Sequence, residues 1–273
     1  MGEQTRIHSY RYRLTTCSTV SLSPRDHQGF YRAAGDFTDE DLAGYSDLSD
    51  HEKDITNVKI NIIYPFYQYG TYERYHPKSA QYYIPGSSIK GALALGNTVQ
   101  KAINLRVDDI PIKNDDLKLS LLHKVQYESK GDSRAAEISV FFKNVAVEML
   151  KAGVTYWGDL FTDQEKGAVH SLLGEAQKKT AEKLQQFVRM MDDLSGQMKK
   201  EEDRTLLSHI QKNVQEILNG MRGDEPCTSY TLLLGGYKGL ILASQWKTRE
   251  LQSAVYIDRK KNLPHGLVKL TLE

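Results

Sequence analysis

Cysteine is scarce in this 273-residue chain: Cys17 and Cys227 lie far apart and without metal-ligand spacing. Neither a disulfide framework nor a zinc site is indicated, and a reducing cytoplasm is the expected compartment. Long hydrophobic runs are also lacking, since no stretch reaches the roughly 20 apolar residues of a membrane-spanning helix. Met1 to Arg13 is polar and basic with no apolar signal-like segment, so neither secretion nor a membrane partner is expected. Net charge is nearly absent at +1, which removes any global polyanion signature and leaves only local patches. Enzyme motifs are thin as well. There is no His-Glu-x-x-His pair and no Gly-x-Ser-x-Gly elbow. Gly86 and Gly91 have the outer spacing of a P-loop, but Ala92 and Leu93 stand where Lys and Ser or Thr are required.

What is present begins with Tyr82 to Leu93, an apolar strand end that runs through Pro85-Gly86 and two serines into a helical pattern. Ser87 or Ser88 is the expected N-cap of a helix over roughly Ser88 to Ile103, which would leave backbone N–H groups directed at an anion. Lys90 then falls in the first turn, where the macrodipole disfavours a cation by roughly 0.3–1 kcal/mol unless something negative is bound. Gly91 costs about 1 kcal/mol relative to Ala in a helix, and predicts the close approach of another backbone. Two locally poor choices side by side mark a functional site.

A second feature is Gly235-Gly236-Tyr237-Lys238-Gly239 between two apolar triplets. It reads either as a β-hairpin loop or as a backbone track for a phosphate chain, with Lys238 neutralising charge and Tyr237 stacking on a base. A third is aromatic density: Tyr64, Phe66, Tyr67, Tyr69, Tyr72, Tyr75, Tyr82 and Tyr83 interleave with Arg74, His76 and Lys78. Such rings either pack a sheet or stack on single-stranded bases. Charge is uneven, with eight acids from Asp36 to Asp54 and seven Lys or Arg from Lys238 to Lys269, so the basic end is where a polyanion would lie.

Along the chain, Tyr10 to Leu22, Val58 to Tyr64, Leu117 to Tyr127, Ala136 to Leu150, Val154 to Leu160, Tyr230 to Leu234, Leu240 to Ser244 and Leu267 to Leu272 read as strands. Lys130-Gly131-Asp132 reads as a turn, and Arg25 to Lys53 as a long loop. Thr162-Asp-Gln-Glu165 reads as a capping box opening a helical hairpin, with stripes at Leu184 to Leu194 and Leu207 to Met221. The fold class is α+β, with a core over 1–161, a helical insertion over 162–222 and core completion over 223–273. His8, His27 and His265 are candidate general bases, although a lone histidine is more often structural. Asp36, Asp39 and Asp41 admit either a divalent ion or a solvated acidic loop. Asp108-Asp109 is read as turn chemistry. No cofactor is indicated.

Ile84-Pro-Gly-Ser-Ser-Ile-Lys-Gly-Ala-Leu93 resembles the Ile-Pro-Gly-Ser-Ser-hydrophobic-Lys-Gly motif of the RAMP superfamily, the RNA-binding subunits of CRISPR effector complexes. Leu234 to Gly239 is similar to that superfamily's late glycine-rich loop. Leu263-Pro-His-Gly-Leu-Val-Lys-Leu270 is similar to the C-terminal strand of one branch, the fifth Csm subunit of type III-A complexes. Ala94 and Leu95 depart from it, standing where an Arg-Thr pair is common. The resemblance implies a modified ferredoxin-like, RRM-type fold with a helical hairpin insertion. It also implies a non-catalytic subunit that caps the backbone filament, partners the RAMP backbone subunit and contacts the 3′ side of the crRNA. On that carry-over Gly86, Ser87, Ser88, Lys90 and Gly91 line one RNA-facing segment, and Gly235, Gly236, Tyr237, Lys238 and Gly239 the other. A RAMP endoribonuclease for crRNA processing or target cleavage is the alternative within the fold, and a mononucleotide site at Gly86 to Gly91 the alternative outside it.

Overall fold

A computed structural model describes residues 6–22, 29–42, 59–70, 72–93, 104–130, 133–221, 228–243 and 254–273. In chain order its elements are β1 (His8–Thr16), β2 (Phe30–Tyr31), α1 (Asp39–Leu42), β3 (Ile62–Tyr64), β4 (Tyr83–Ile84), α2 (Gly86–Leu93), β5 (Arg106–Val107) and β6 (Ile110–Pro111). There follow β7 (Leu117–Leu121), β8 (His123–Lys130), β9 (Ser133–Val140), β10 (Val145–Leu150) and β11 (Thr155–Thr162). Helices α3 (Lys166–Ser195) and α4 (Glu201–Gly220) come next. The chain then continues through β12 (Ser229–Leu233), α5 (Leu240–Ala243), β13 (Val255–Asp258), β14 (Leu263–Pro264) and β15 (Leu267–Leu272).

The main sheet has the order β12-β15-β1-β11-β5, with every neighbouring pair antiparallel. Period-two alternation builds its centre: in β1, Tyr12 and Leu14 point inward while Arg11 and Arg13 are exposed. The inward face packs on Ile89, Ala92 and Leu93 of α2 and on Val169, Leu172, Leu173 and Ala176 from the first half of α3. The second half of α3, through Leu184, Phe187, Met191 and Leu194, turns to a second core with Leu207, Ile210 and Val214 of α4. That core is closed by one face of a second sheet, β14-β13-β8-β9, through Val125, Val255 and Ile257. A third sheet, β2-β3-β10-β7, joins the first at the Val20–Leu150 bridge and holds Phe30, Phe37, Ile63 and Tyr75.

The α+β class and the helical hairpin agree with expectation, as does β15 over Leu267–Leu272. Three local expectations are corrected. The Thr162 capping box does not open the helix: Thr162 ends β11, its Oγ1 accepts from the Gln164 N–H at 3.2 Å within a turn, and α3 starts at Lys166 with no side-chain cap. Leu240 to Ser244 is not a strand, because Leu240–Ala243 forms one helical turn and the edge beside β12 belongs to β15. The stretch from Arg25 to Lys53 is not wholly loop, since β2 and α1 fall inside it and Phe30 and Phe37 supply core volume. Gly131-Asp132 of the expected turn lies outside the described residues, as do Ala94 and Leu95. Among the described residues no helix is long and apolar enough to cross a membrane.

Candidate functional site

The segment Ile84 to Leu93 folds as a strand end and a helix start, but its caps are not the expected ones. Helix α2 begins at Gly86, and Ser87 and Ser88 are its second and third residues. The Pro85 carbonyl accepts from the Ser88 N–H at 2.9 Å and the Ile89 N–H at 3.3 Å. The cap comes from elsewhere in sequence: the Gly86 N–H donates to Asp109 Oδ1 at 2.7 Å. A carboxylate of the chain itself therefore sits at the positive end of the helix dipole, which favours an anion there. Asp109, read from sequence as turn chemistry, serves here as a helix cap between β5 and β6. The close backbone approach expected at Gly91 occurs at Gly86, where a Cβ would lie 2.0 Å from the Val107 carbonyl oxygen. At Gly91 a Cβ would meet nothing within 4 Å among the described residues. Ser87, Lys90 and Gly91 are exposed and Ser88 is half-buried. Lys90 is the fifth residue of the helix rather than part of its first turn, so the dipole penalty inferred for it is relieved by position.

Of the aromatic run, Tyr64 packs with Leu122, Val147 and Met149, Tyr72 lies against the first and third cores, and the other six rings divide in two. Phe66, Tyr75 and Tyr82 are buried around Glu148, whose side chain is fully enclosed. Glu148 Oε1 accepts from the Tyr82 hydroxyl at 2.7 Å and the Tyr75 hydroxyl at 2.9 Å, and Oε2 from the Phe66 N–H at 2.8 Å. Three donors on one carboxylate explain how a charge is tolerated there. Tyr67, Tyr69 and Tyr83 instead cluster beside α2, with the Tyr69 and Tyr83 rings stacked at 4.0 Å. Burial and then the charge of Asp109 raise the pKa of both stacked phenols.

In the glycine-rich loop the glycines serve the chain's own packing. Gly235 and Gly239 have φ of 86° and 81°, and a Cβ would come within 2.4 Å of the Ser21 carbonyl oxygen at the first and 2.2 Å of the Ala254 carbonyl oxygen at the second. The Gly236 N–H donates to Ser21 O at 2.8 Å. The hairpin reading is corrected, because β12 pairs with β15 and a helical turn follows the loop. Lys238 is corrected too. It is buried at 9% exposure, its stem lies over Gly266, and its ammonium donates to the Leu233 carbonyl at 3.4 Å. Tyr237, at φ 46°, meets Tyr256 edge-on with ring centres 6.2 Å apart. Burial, then Tyr64 and Tyr256, push its phenol pKa up to about 12. That half-buried ring is part of an aromatic cluster with Tyr64 and Tyr256.

The two expected halves start from opposite sheet edges, but α2 also contacts β12, the strand that leads into the glycine-rich loop. Gly86 lies against β5, which pairs through β11 with the Ser9–Tyr10 end of β1. Gly235 lies against Ser21, beyond the other end of β1 and beside the opposite sheet edge. The other candidates separate as well. His265 is enclosed, with Nδ1 2.5 Å from Thr19 Oγ1; burial lowers its pKa to about 4 against the opposing pull of Asp258. His8 Nε2 lies 3.5 Å from Glu165, and His27 is outside the described residues. Asp36 caps the Tyr31 N–H, Asp39 pairs with Arg32, and Asp41 caps Thr38. Among the described residues no group of three or more His, Cys, Asp or Glu could hold a metal.

One surface escaped the sequence reading. The main-sheet face opposite the helices carries Ser9, Arg11, Arg13 and Thr15, and their register partners Phe161, Asp159, Trp157 and Thr155. Its signal was present in the alternation of His8 to Thr16, where every second residue is polar or basic. No family model matches the sequence, and no curated protein matches it.

Proposed function

We propose that this protein is a non-catalytic RNA-binding subunit of a type III-A CRISPR (Csm) ribonucleoprotein, working in the cytoplasm. In that role it caps the backbone filament and contacts the 3′ side of the crRNA beside other Csm-type subunits. The observation that carries the reading is where the Ile84 to Leu93 segment falls: it opens α2, the helix of the first crossover between β1 and β5. The order β15-β1-β11-β5 is the fourth, first, third, second arrangement of a split β-α-β-β-α-β unit, with α2 and α3 on one face and β12 added at an edge. That arrangement supports a ferredoxin-like assignment. The enclosed ring of His265 and the separate duties of Asp36, Asp39 and Asp41 count against those four residues as the groups of the ribonuclease alternative.

Purification from the native host at low salt tests the assignment, because the protein should carry short crRNA and Csm-type subunits. Lys90→Ala should weaken RNA binding across sequences and lower the slope of log K against log salt by about 0.7 per lost phosphate contact. An unchanged slope, together with no co-purifying RNA, refutes the reading. Lys238, having its ammonium inside the fold, is not expected to contribute to that slope.

A further inference from the structure

The open face of the main sheet forms four rows. They read Arg106–Phe161–Ser9, Asp159–Arg11, Trp157–Arg13–Thr271 and Thr155–Thr15–Lys269, each residue beside its register partner on one side of the sheet. Arg11, Arg13, Arg106 and Lys269 are all exposed, and among the described residues none of them is in an ion pair. The acids on or beside these rows are Asp108, opposite Asp159 with its N–H on the Asp159 carbonyl at 3.1 Å, Asp159 itself and Glu273, three against four cations. Trp157 is 49% exposed on β11, where that strand pairs with β1 and has run past its pairing with β5. Its indole N–H donates to Glu273 Oε1 at 3.2 Å, which fixes one edge and leaves the ring faces available. Phe161 lies farther along the same strand, next to Arg106.

We infer that this face, through Trp157 and Phe161 with Arg11, Arg13, Arg106 and Lys269, binds single-stranded RNA. The inference rests on the RNA-binding reading above and assigns the contact to a different part of the molecule from the glycine loop. The physical argument is charge and shape. A flat sheet presenting separated aromatic rings among cations accepts unstacked bases on the rings and phosphates between them. Guanidinium groups add stacking and bidentate phosphate contacts that a lysine-only surface lacks. A duplex, whose bases are already stacked on each other, offers the rings nothing.

The test uses the full chain and a labelled single-stranded RNA of mixed sequence, followed by fluorescence anisotropy. Trp157→Ala should weaken binding about tenfold or more, the usual cost of losing one stacked base. Arg13→Ala and Arg106→Ala should each lower the salt slope by about 0.7. Trp246→Phe leaves Trp157 as the sole tryptophan, and its emission should be quenched to saturation by the single strand but not by the matching duplex. This readout needs no change at the proposed site. Binding by the parent protein that survives Trp157→Ala and Arg13→Ala, with no quenching, overturns this inference and leaves the RNA-binding reading standing. No RNA binding by the parent protein overturns both. Quenching by a purified Csm-type subunit but not by RNA identifies the face as a protein interface and overturns the inference.

Discussion

Acidification should unfold this protein through His265, well before most carboxylates titrate. The imidazole is 4% exposed at the turn into β15. Thr19 Oγ1 meets its Nδ1 at 2.5 Å, and its Nε2 is buried without a hydrogen-bond partner among the described residues. Asp258 lies beside it, with Oδ2 accepting from the Thr19 N–H at 2.9 Å and Oδ1 from the Lys260 and Lys261 N–H groups at 3.1 Å. Lys118 and His123 face the ring with like charge and resist its protonation, whereas Asp258 favours it. Burial dominates, and the pKa falls from 6.5 to about 4. The unfolded chain thus takes a proton that the folded chain refuses, so stability is lost as pH falls from 6.5 towards 4. At ~1.4 kcal/mol per pH unit the gap is worth about 3 kcal/mol, a large part of an ordinary domain's stability. Burial raises the pKa of Asp258, but His265, the Thr19 amide and Lys118 together bring it below the usual carboxylate value. Its own contribution is therefore lost only at still lower pH. Urea unfolding at pH 7, 6, 5 and 4 checks this against His265→Asn, which keeps an amide at the Nδ1 position and cannot titrate. The parent protein should lose about 3 kcal/mol more than the variant over that range. Parallel stability–pH curves would refute the argument.

Two further perturbations probe the frame around the candidate site. Glu148→Ala leaves the Tyr75 and Tyr82 hydroxyls and the Phe66 N–H without their carboxylate. It should cost roughly 3–5 kcal/mol in urea unfolding, and a loss under 1 kcal/mol would contradict the enclosed geometry. The glycines of the two glycine-containing segments should respond in opposite directions. Gly91→Ala meets open space and should stabilise α2 by roughly 0.5–1 kcal/mol. Gly239→Ala, at φ 81° with a Cβ 2.2 Å from the Ala254 carbonyl oxygen, should destabilise by at least roughly 1–3 kcal/mol. Thermal melts of the pair decide, and equal shifts would show that the two positions are not distinguished as described.

Periodicity made the elements legible, and chemistry without a period was lost. The stripe Leu184, Phe187, Met191, Leu194 and the alternation through Leu267 to Leu272 each repeat a single geometric unit, so local spacing was sufficient to read α3 and β15. The capping of α2 was not legible, because Asp109 stands 23 positions from Gly86 and no local rule joins them. Ser87 and Ser88 satisfied the local N-cap rule, and tertiary structure overrode it. Likewise Leu240 to Ser244 is apolar enough for a strand, but short apolar runs do not separate strand from helix by pattern alone.

The glycine-rich loop illustrates a deeper ambiguity. Glycine permits a close approach without specifying what approaches. At Gly235 and Gly239 the approaching groups are the Ser21 and Ala254 carbonyls, so the sequence pattern signalled contact correctly while its partner was the chain itself. Lys238 follows from the same cause: its stem packs over Gly266, which carries the ammonium inward to the Leu233 carbonyl. With Lys238 turned inward, the proposed RNA contact draws on cations elsewhere. Arg11 and Arg13 were equally visible in the sequence as the outward half of an alternating strand. They became a surface only when β11 placed Trp157 beside Arg13 and β15 placed Lys269 beside Thr15. The basic C-terminal stretch expected to meet a polyanion thus reaches the proposed face through Lys269, beside Thr15 of β1.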